Sequence, residues 1–242
     1  MRLVKLDAID STNDYLKDLV RRGEVDNFTV ITAEYQTKGK GQMGATWTSE
    51  VGKNLIMSVL VKDFIKDATA VFDLNMIVAL AVADSLRMLK LPNVAIKWPN
   101  DIMSANKKIG GILIENSFRS DGSIFATVGL GLNVNQVNFE DLPQASSIAV
   151  VLGFEVDKEM LLNEIITRIK KSVSEWNVCS KILTNQYTDL LFRKDLLTSF
   201  QASDGSEFQG RVKGISKQGK LVIEHAVGTD QEYDIKEVKM LY

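Results

Sequence analysis

The apolar positions of this chain change period several times. Leu3 to Ala8 alternates apolar and polar side chains, the two-residue period of a half-buried strand. Tyr15, Leu16, Leu19 and Val20 then recur at helical spacing, and Gly23 marks a stop. FTVITA (Phe28–Ala33) and NLIMSVLVK (Asn54–Lys62) are rich in β-branched and aliphatic residues and predict buried strands. Ala68–Lys90 is apolar on nearly every face, interrupted by Asp73, Asn75, Asp84 and Arg87, which argues for a helix packed across a sheet and against a membrane span. Val94–Lys97 and the run Ile109–Ile114 flank a hairpin whose tip is expected at Asn106-Lys107. Ser123–Asn133 reads as a further strand, Asn138–Ser147 as a loop, and Asp157–Trp176 and Lys181–Phe192 as two helices. From about Leu196 the helical period ends. Short alternating strands follow, broken at Asp204-Gly205, Gln218-Gly219 and Val227-Gly228. The pattern predicts an α+β fold: a β-sheet with packed helices over residues 1–194, then a small five-stranded barrel over 195–242.

Composition narrows the chemistry more than the fold. The 242 residues are 45% hydrophobic and 25% charged, with a net charge of −2, so there is no basic footprint for nucleic acid. Cys179 is the only cysteine and His225 the only histidine. That removes internal disulfides, cysteine-based zinc sites and paired-histidine metal motifs. The N-terminus is too short and too charged for a secretory signal, and the expected location is the cytoplasm.

Three stretches carry candidate chemistry. Ser11 and Asp14 have capping-box spacing before the first helix. Capping alone accounts for Ser11 and Thr12, but amides and hydroxyls at a helix start can also hold a polar ligand group. Gly39 to Trp47 interleaves glycines with lysines, which lets backbone N–H groups approach an anion. Its literal GxGxxG match opens no convincing helix, so a dinucleotide fold is not supported. The third stretch, KWPNDIMSANKKIGGILIEN (Lys97–Asn116), can aim Asn100, Asp101 and Lys108 at one small volume. A carboxylate and an amide beside a lysine suit a metal-bound anionic substrate. Asp101 could hold Mg²⁺, Asn100 a phosphate, and Lys97 and Lys40 add positive charge. Two like charges 4 Å apart repel by roughly 4 kcal/mol at an effective dielectric near 20, so one placed lysine matters greatly when a carboxylate must attack a phosphate.

On these blocks the chain resembles the biotin–protein ligases in their short form, without an N-terminal DNA-binding domain. Ser11-Thr12-Asn13, Gln36 with the glycine loop, KWPNDI and KIGGILIE carry the likeness, and GLGLNVN (Gly129–Asn135) adds a weaker block. The resemblance implies a catalytic domain like those of class II synthetases and a C-terminal SH3-like barrel. It implies that biotin and MgATP give biotinyl-5′-AMP, and that the biotinyl group passes to a lysine of a biotin carboxyl carrier domain of a carboxylase. It implies biotin contacts from Ser11, Thr12, Asn13, Gln36 and Lys108, with Gly39, Lys40, Gly41 and Gln42 in a loop that orders over the ligand. Lys97, Asn100 and Asp101 would serve the reaction centre, with Asp101 toward Mg²⁺. Trp47 and Asn133 would lie near adenine, while Gly111, Gly129 and Gly131 would let the ligand lie against the sheet. No DNA or membrane partner is expected, and the protein is expected to be a monomer or homodimer.

The loop departs from the family's GRGRxGRxW pattern: it reads GKGQMGATW, with Lys40, Gln42 and Ala45 at the arginine positions. Lysine cannot reproduce bidentate arginine contacts and Gln42 carries no charge. Two rivals remain open. A lipoate or octanoate transferase would share the fold, but the chain lacks the arginine pair, triple glycine and His-Asp associated with that family. A non-catalytic biotin-binding protein would need no Asn100, Asp101 and Lys108 constellation.

Overall fold

In the computed structural model, residues 2–23, 25–67, 69–118, 122–140 and 142–242 are described. In chain order the elements are β1 (Leu3–Ile9), α1 (Thr12–Arg22), β2 (Val30–Gln36), β3 (Leu55–Lys62), α2 (Thr69–Met88), β4 (Ala95–Lys97), β5 (Asp101–Ser104), β6 (Lys107–Phe118) and β7 (Ile124–Leu132). They are followed by α3 (Ile148–Leu152), α4 (Lys158–Asp189), β8 (Leu197–Ala202), β9 (Glu207–Ile215), β10 (Leu221–His225), β11 (Asp230–Tyr233) and β12 (Val238–Leu241). The first seven strands form one mixed sheet in the order β1-β2-β3-β7-β6-β5-β4, parallel only between β1 and β2.

The period-2 patterning sends side chains to two separate cores. Leu16 and Val20 of α1 pack with Ile31 and Leu60 on one face of the sheet. Val30, Val59 and Val61 face the other way, toward α2 and α4. The almost wholly apolar α2 is sandwiched between the sheet and α4, as a helix apolar all round must be. Ala68, the expected first residue of that helix, lies outside the described residues. Among the described residues no helix is long and apolar enough to cross a membrane.

Several boundaries differ from expectation, each for a local reason. The two helices expected before the small sheet are one 32-residue helix, α4. Nothing between Asn177 and Ser180 breaks a helix. The apolar period lapses there because the segment packs on little, and Val178 is 84% exposed. Phe28 is not in the strand: its φ of 60° belongs to a turn, and β2 runs on to Gln36. The hairpin tip is Ala105-Asn106, both at positive φ, one residue before the expected pair. Ser104 pairs with Lys107, the geometry of a two-residue primed turn.

The C-terminal strands form one antiparallel sheet, β11-β10-β9-β8-β12, turning at Gly205, Gly219 and Gly228 as the sequence predicts. The expected barrel is not closed by hydrogen bonds: among the described residues β11 and β12 remain the two edges. A flat sheet would separate them by about 19 Å, four inter-strand spacings. The Asp234–Glu237 turn that joins them cannot span that, so the sheet curls toward a barrel without a closing ladder. Phe200, Val212 and Ile223 share one continuous core with the main sheet, and Trp98 Nε1 donates to the Gly219 carbonyl at 2.9 Å.

Candidate functional site

β2, β3, β6 and β7 carry their outer face under the Gly39–Trp47 loop and against the start of α1. This encloses an open cavity of about 250 Å³. Its floor is made of strands that carry no side chain where the walls come close. A Cβ on Gly129 would stand 2.6 Å from Asn13 Oδ1, and one on Gly131 would stand 2.5 Å from the Trp47 ring. Both contacts are prohibitive, so only glycine lets the α1 terminus and the indole settle there.

A bulge decides which side chains look into the cavity. Asp101 pairs with Gly111 and Ile102 with Gly110, but Met103 pairs with Lys108, so β6 has one extra residue opposite β5. With strict alternation Lys108 and Gly111 would point to opposite faces. The bulge puts both on the cavity while Ile109 stays fully buried in the core. Lys108 Nζ then lies 2.6 Å from Asp101 Oδ1, and Lys97 Nζ lies 3.9 Å from Oδ2. Burial pushes the Lys97 ammonium below its usual pKa, Asp101 works against the shift and Lys108 adds to it. Lys97 sits over the ring of Tyr242 at 4.8 Å and lines the neighbouring cleft between the two sheets, so the structure separates it from the main cavity. Burial first, and Asp101 second, hold the Tyr242 phenol above its usual range. The Asn100 amide donates to Ile112 O at 2.7 Å, which ties the β4–β5 turn to β6.

The opposite end is neutral and drier. Ser11 caps α1 by accepting from Asp14 N–H at 3.4 Å. The capping box is only half formed, because the Asp14 carboxylate turns to Lys17 (3.0 Å) and Lys40 (2.6 Å). Thr12 N–H donates to Gln36 Oε1 at 2.8 Å, so β2 holds this amide against the helix start. The extension of β2 through Gln36 is what fixes that residue, opposite Ile9. Thr12 and Asn13 are each 3% exposed.

The glycine loop is folded. Gly41 N–H donates to Ala45 O, Trp47 N–H donates to Gly39 O, and Gln42–Gly44 forms one 3-10 turn with Met43 at a φ of 58°. Lys40, Gly41, Gln42 and Trp47 line the cavity, whereas Gly39 supports the loop from outside it. Trp47 Nε1–H is buried without an acceptor among the described residues. Asn133 does not reach the cavity: it is 6% exposed, and its amide donates to Ser146 O at 3.0 Å.

Two participants escaped the sequence reading. Ser58 is the one hydroxyl in the buried strand LIMSVLVK, and that isolation was a usable signal. Glu115 shares the cavity side of β6 with Gly111 and Leu113 by simple alternation.

Known proteins resemble this chain over most of its length. Over 233 residues the chain is 27% identical to the bifunctional ligase/repressor BirA of Escherichia coli, which covers 90% of this chain and 68% of that protein. It is 26% identical to the biotin--[acetyl-CoA-carboxylase] ligase of Mycobacterium tuberculosis, covering 91% of this chain and 83% of that one. The fold is similar to that of the biotin protein ligase of Aquifex aeolicus solved with biotin and ATP, with a TM-score of 0.82 at 24% identity over 99% of this chain and 98% of that one. Residues 6–135 match the biotin/lipoate A/B protein ligase family. Because that stretch exceeds half the chain and includes every residue lining the cavity, the chain belongs to this family.

Proposed function

We propose that the protein activates biotin with ATP to biotinyl-5′-AMP and passes the biotinyl group to a lysine of a biotin carboxyl carrier domain. The observation that carries this reading is the polarity of one cavity. A Lys108–Asp101 ion pair stands at one end and a neutral hydrogen-bonding shelf at the other, at Thr12 and Gln36. Biotin has the matching polarity: a carboxylate at one end and a neutral ureido ring at the other. Relatives named as biotin ligases support the same substrate.

In the first step a biotin carboxylate oxygen attacks the α-phosphorus of ATP, and the bond to pyrophosphate breaks. Lys108 offsets the repulsion of the two anions where charge accumulates. In the second step the acceptor amine attacks the acyl carbon, AMP leaves with the bonding pair, and the amine loses a proton. Here the loop and Trp47 screen the mixed anhydride from water. Magnesium would come with the nucleotide and offset its phosphate charge. Among the described residues no cluster of three acidic, histidine or cysteine side chains could hold a metal alone. Mg²⁺ bound through substrate phosphates needs only one or two carboxylates, and Asp101 is the one at this cavity.

Incubation with labelled biotin, ATP, Mg²⁺ and a carrier domain tests the whole reading, and ATP–pyrophosphate exchange tests the first step. Biotin should drive exchange where lipoate and octanoate do not. Exchange that ignores biotin would sink the assignment.

A further inference from the structure

Behind the neutral end of the cavity, six side chains form an unbroken relay. Lys17 Nζ lies 2.8 Å from Glu115 Oε1. Asn13 Nδ2 donates to Glu115 Oε2 at 2.7 Å. Ser58 Oγ lies 2.6 Å from Asn13 Oδ1 and 2.7 Å from Thr12 Oγ1. Thr12 Oγ1 lies 3.1 Å from Gln36 Oε1. Burial works against the Lys17 charge, yet Glu115 and Asp14 more than offset it and raise its pKa above the usual range.

The protons in this relay can be counted. A carboxylate only accepts, so Glu115 fixes the Asn13 amide with its NH₂ group outward and Oδ1 toward Ser58. Three oxygen–oxygen contacts then remain, but only the hydroxyl protons of Ser58 and Thr12 are available to fill them. Asn13 Oδ1 takes the proton of Ser58, and Ser58 Oγ takes that of Thr12. The contact left without a proton is the longest, Thr12 Oγ1 to Gln36 Oε1. Both of these oxygens belong to residues that line the cavity.

We propose that Glu115 is a positioning residue for ligand recognition: through Asn13 and Ser58 it makes Thr12 Oγ1 and Gln36 Oε1 paired acceptors that select a head group carrying an N–H. This rests on the biotin reading above, in which the ureido ring supplies that donor. Glu115→Gln reverses the relay. Lys17 claims the amide oxygen, the new NH₂ faces Asn13, and Asn13 turns its own NH₂ toward Ser58. Ser58 then donates to Thr12 and Thr12 to Gln36, which consumes the acceptor capacity the ligand needs. Combining Asn13→Asp with Glu115→Gln exchanges amide and carboxylate and restores the original direction.

The test is biotin-dependent ATP–pyrophosphate exchange by the full chain. Glu115→Gln and Ser58→Ala should each raise the KM for biotin about tenfold or more, with the change falling on that KM and not on kcat or the KM for ATP. The exchanged pair should recover the unsubstituted KM, while Asn13→Asp alone, which sets two carboxylates face to face, should not. A Glu115→Gln protein with unchanged KM overturns the proposal. So does failure of the exchanged pair to recover although its melting curve matches the unsubstituted protein. If Glu115→Gln does not fold, Ser58→Ala and the exchanged pair decide the matter by the same criteria. Absence of exchange in the unsubstituted protein would instead defeat the biotin reading itself, a distinct result.

Discussion

The two ends of the cavity use opposite physics. At the charged end Asp101 and Lys108 meet at a bulge, with Lys97 facing Asp101 from the neighbouring cleft. At the other end Thr12, Asn13 and Ser58 are almost wholly buried and, apart from the Lys17–Glu115 ion pair behind them, neutral. The contrast follows from what each end must do. A developing anion is stabilised by fixed charge, whereas a neutral ring is selected by the direction of hydrogen bonds, since a mismatched buried partner goes unpaired. Substitutions at the first end should therefore act on rate, and those at the second on affinity.

Lys108→Ala should break the charged end most severely, lowering the exchange rate by about a hundredfold to a thousandfold at saturating biotin. A loss confined to KM in steady-state kinetics would erase the division between the ends. Thr12→Val, which removes one acceptor and keeps the shape, should raise the KM for biotin about tenfold with kcat maintained. A fall in kcat of similar size would show that the neutral end also takes part in chemistry. Gln42→Arg restores charge to the loop where the family pattern has arginine, and should slow release of the adenylate in a single-turnover chase. Unchanged release would mean that backbone N–H groups already do the holding.

The smallest effect lies outside the cavity. Burial first, and then Asp67, push the Asp73 carboxyl up to about 6 from 3.8. The folded state thus binds this proton more tightly than the unfolded chain does. Stability is fullest below about pH 3.8 and declines as the pH rises to about 6. Asp73→Asn should raise the melting temperature modestly at pH 8 and leave it unchanged at pH 3.5. An equal shift at both would assign the effect to packing.

Element types were legible in the chain wherever the apolar period was long, as in α2 and β3, and turns wherever glycine follows a polar residue, as at Gly205 and Gly219. The single helix α4 was not, because its exposed middle lacks the packing that writes a period into sequence. Lys97 and Asn133 share motifs with cavity residues, yet one turns into the neighbouring cleft and the other into the core.

By itself the sequence determined the family, the strands and helices, and the residue types that gather around an acid and a nucleotide. These follow from local periodicity and from motifs contiguous in the chain. Only the tertiary structure decided which way those side chains face. One extra residue in β6 turns Lys108 onto the cavity, and Glu115, 102 residues from Asn13, sets the direction of the hydrogen bonds behind the neutral end. Such facts depend on register and on contacts between distant strands, and neither is written in any single segment of the chain.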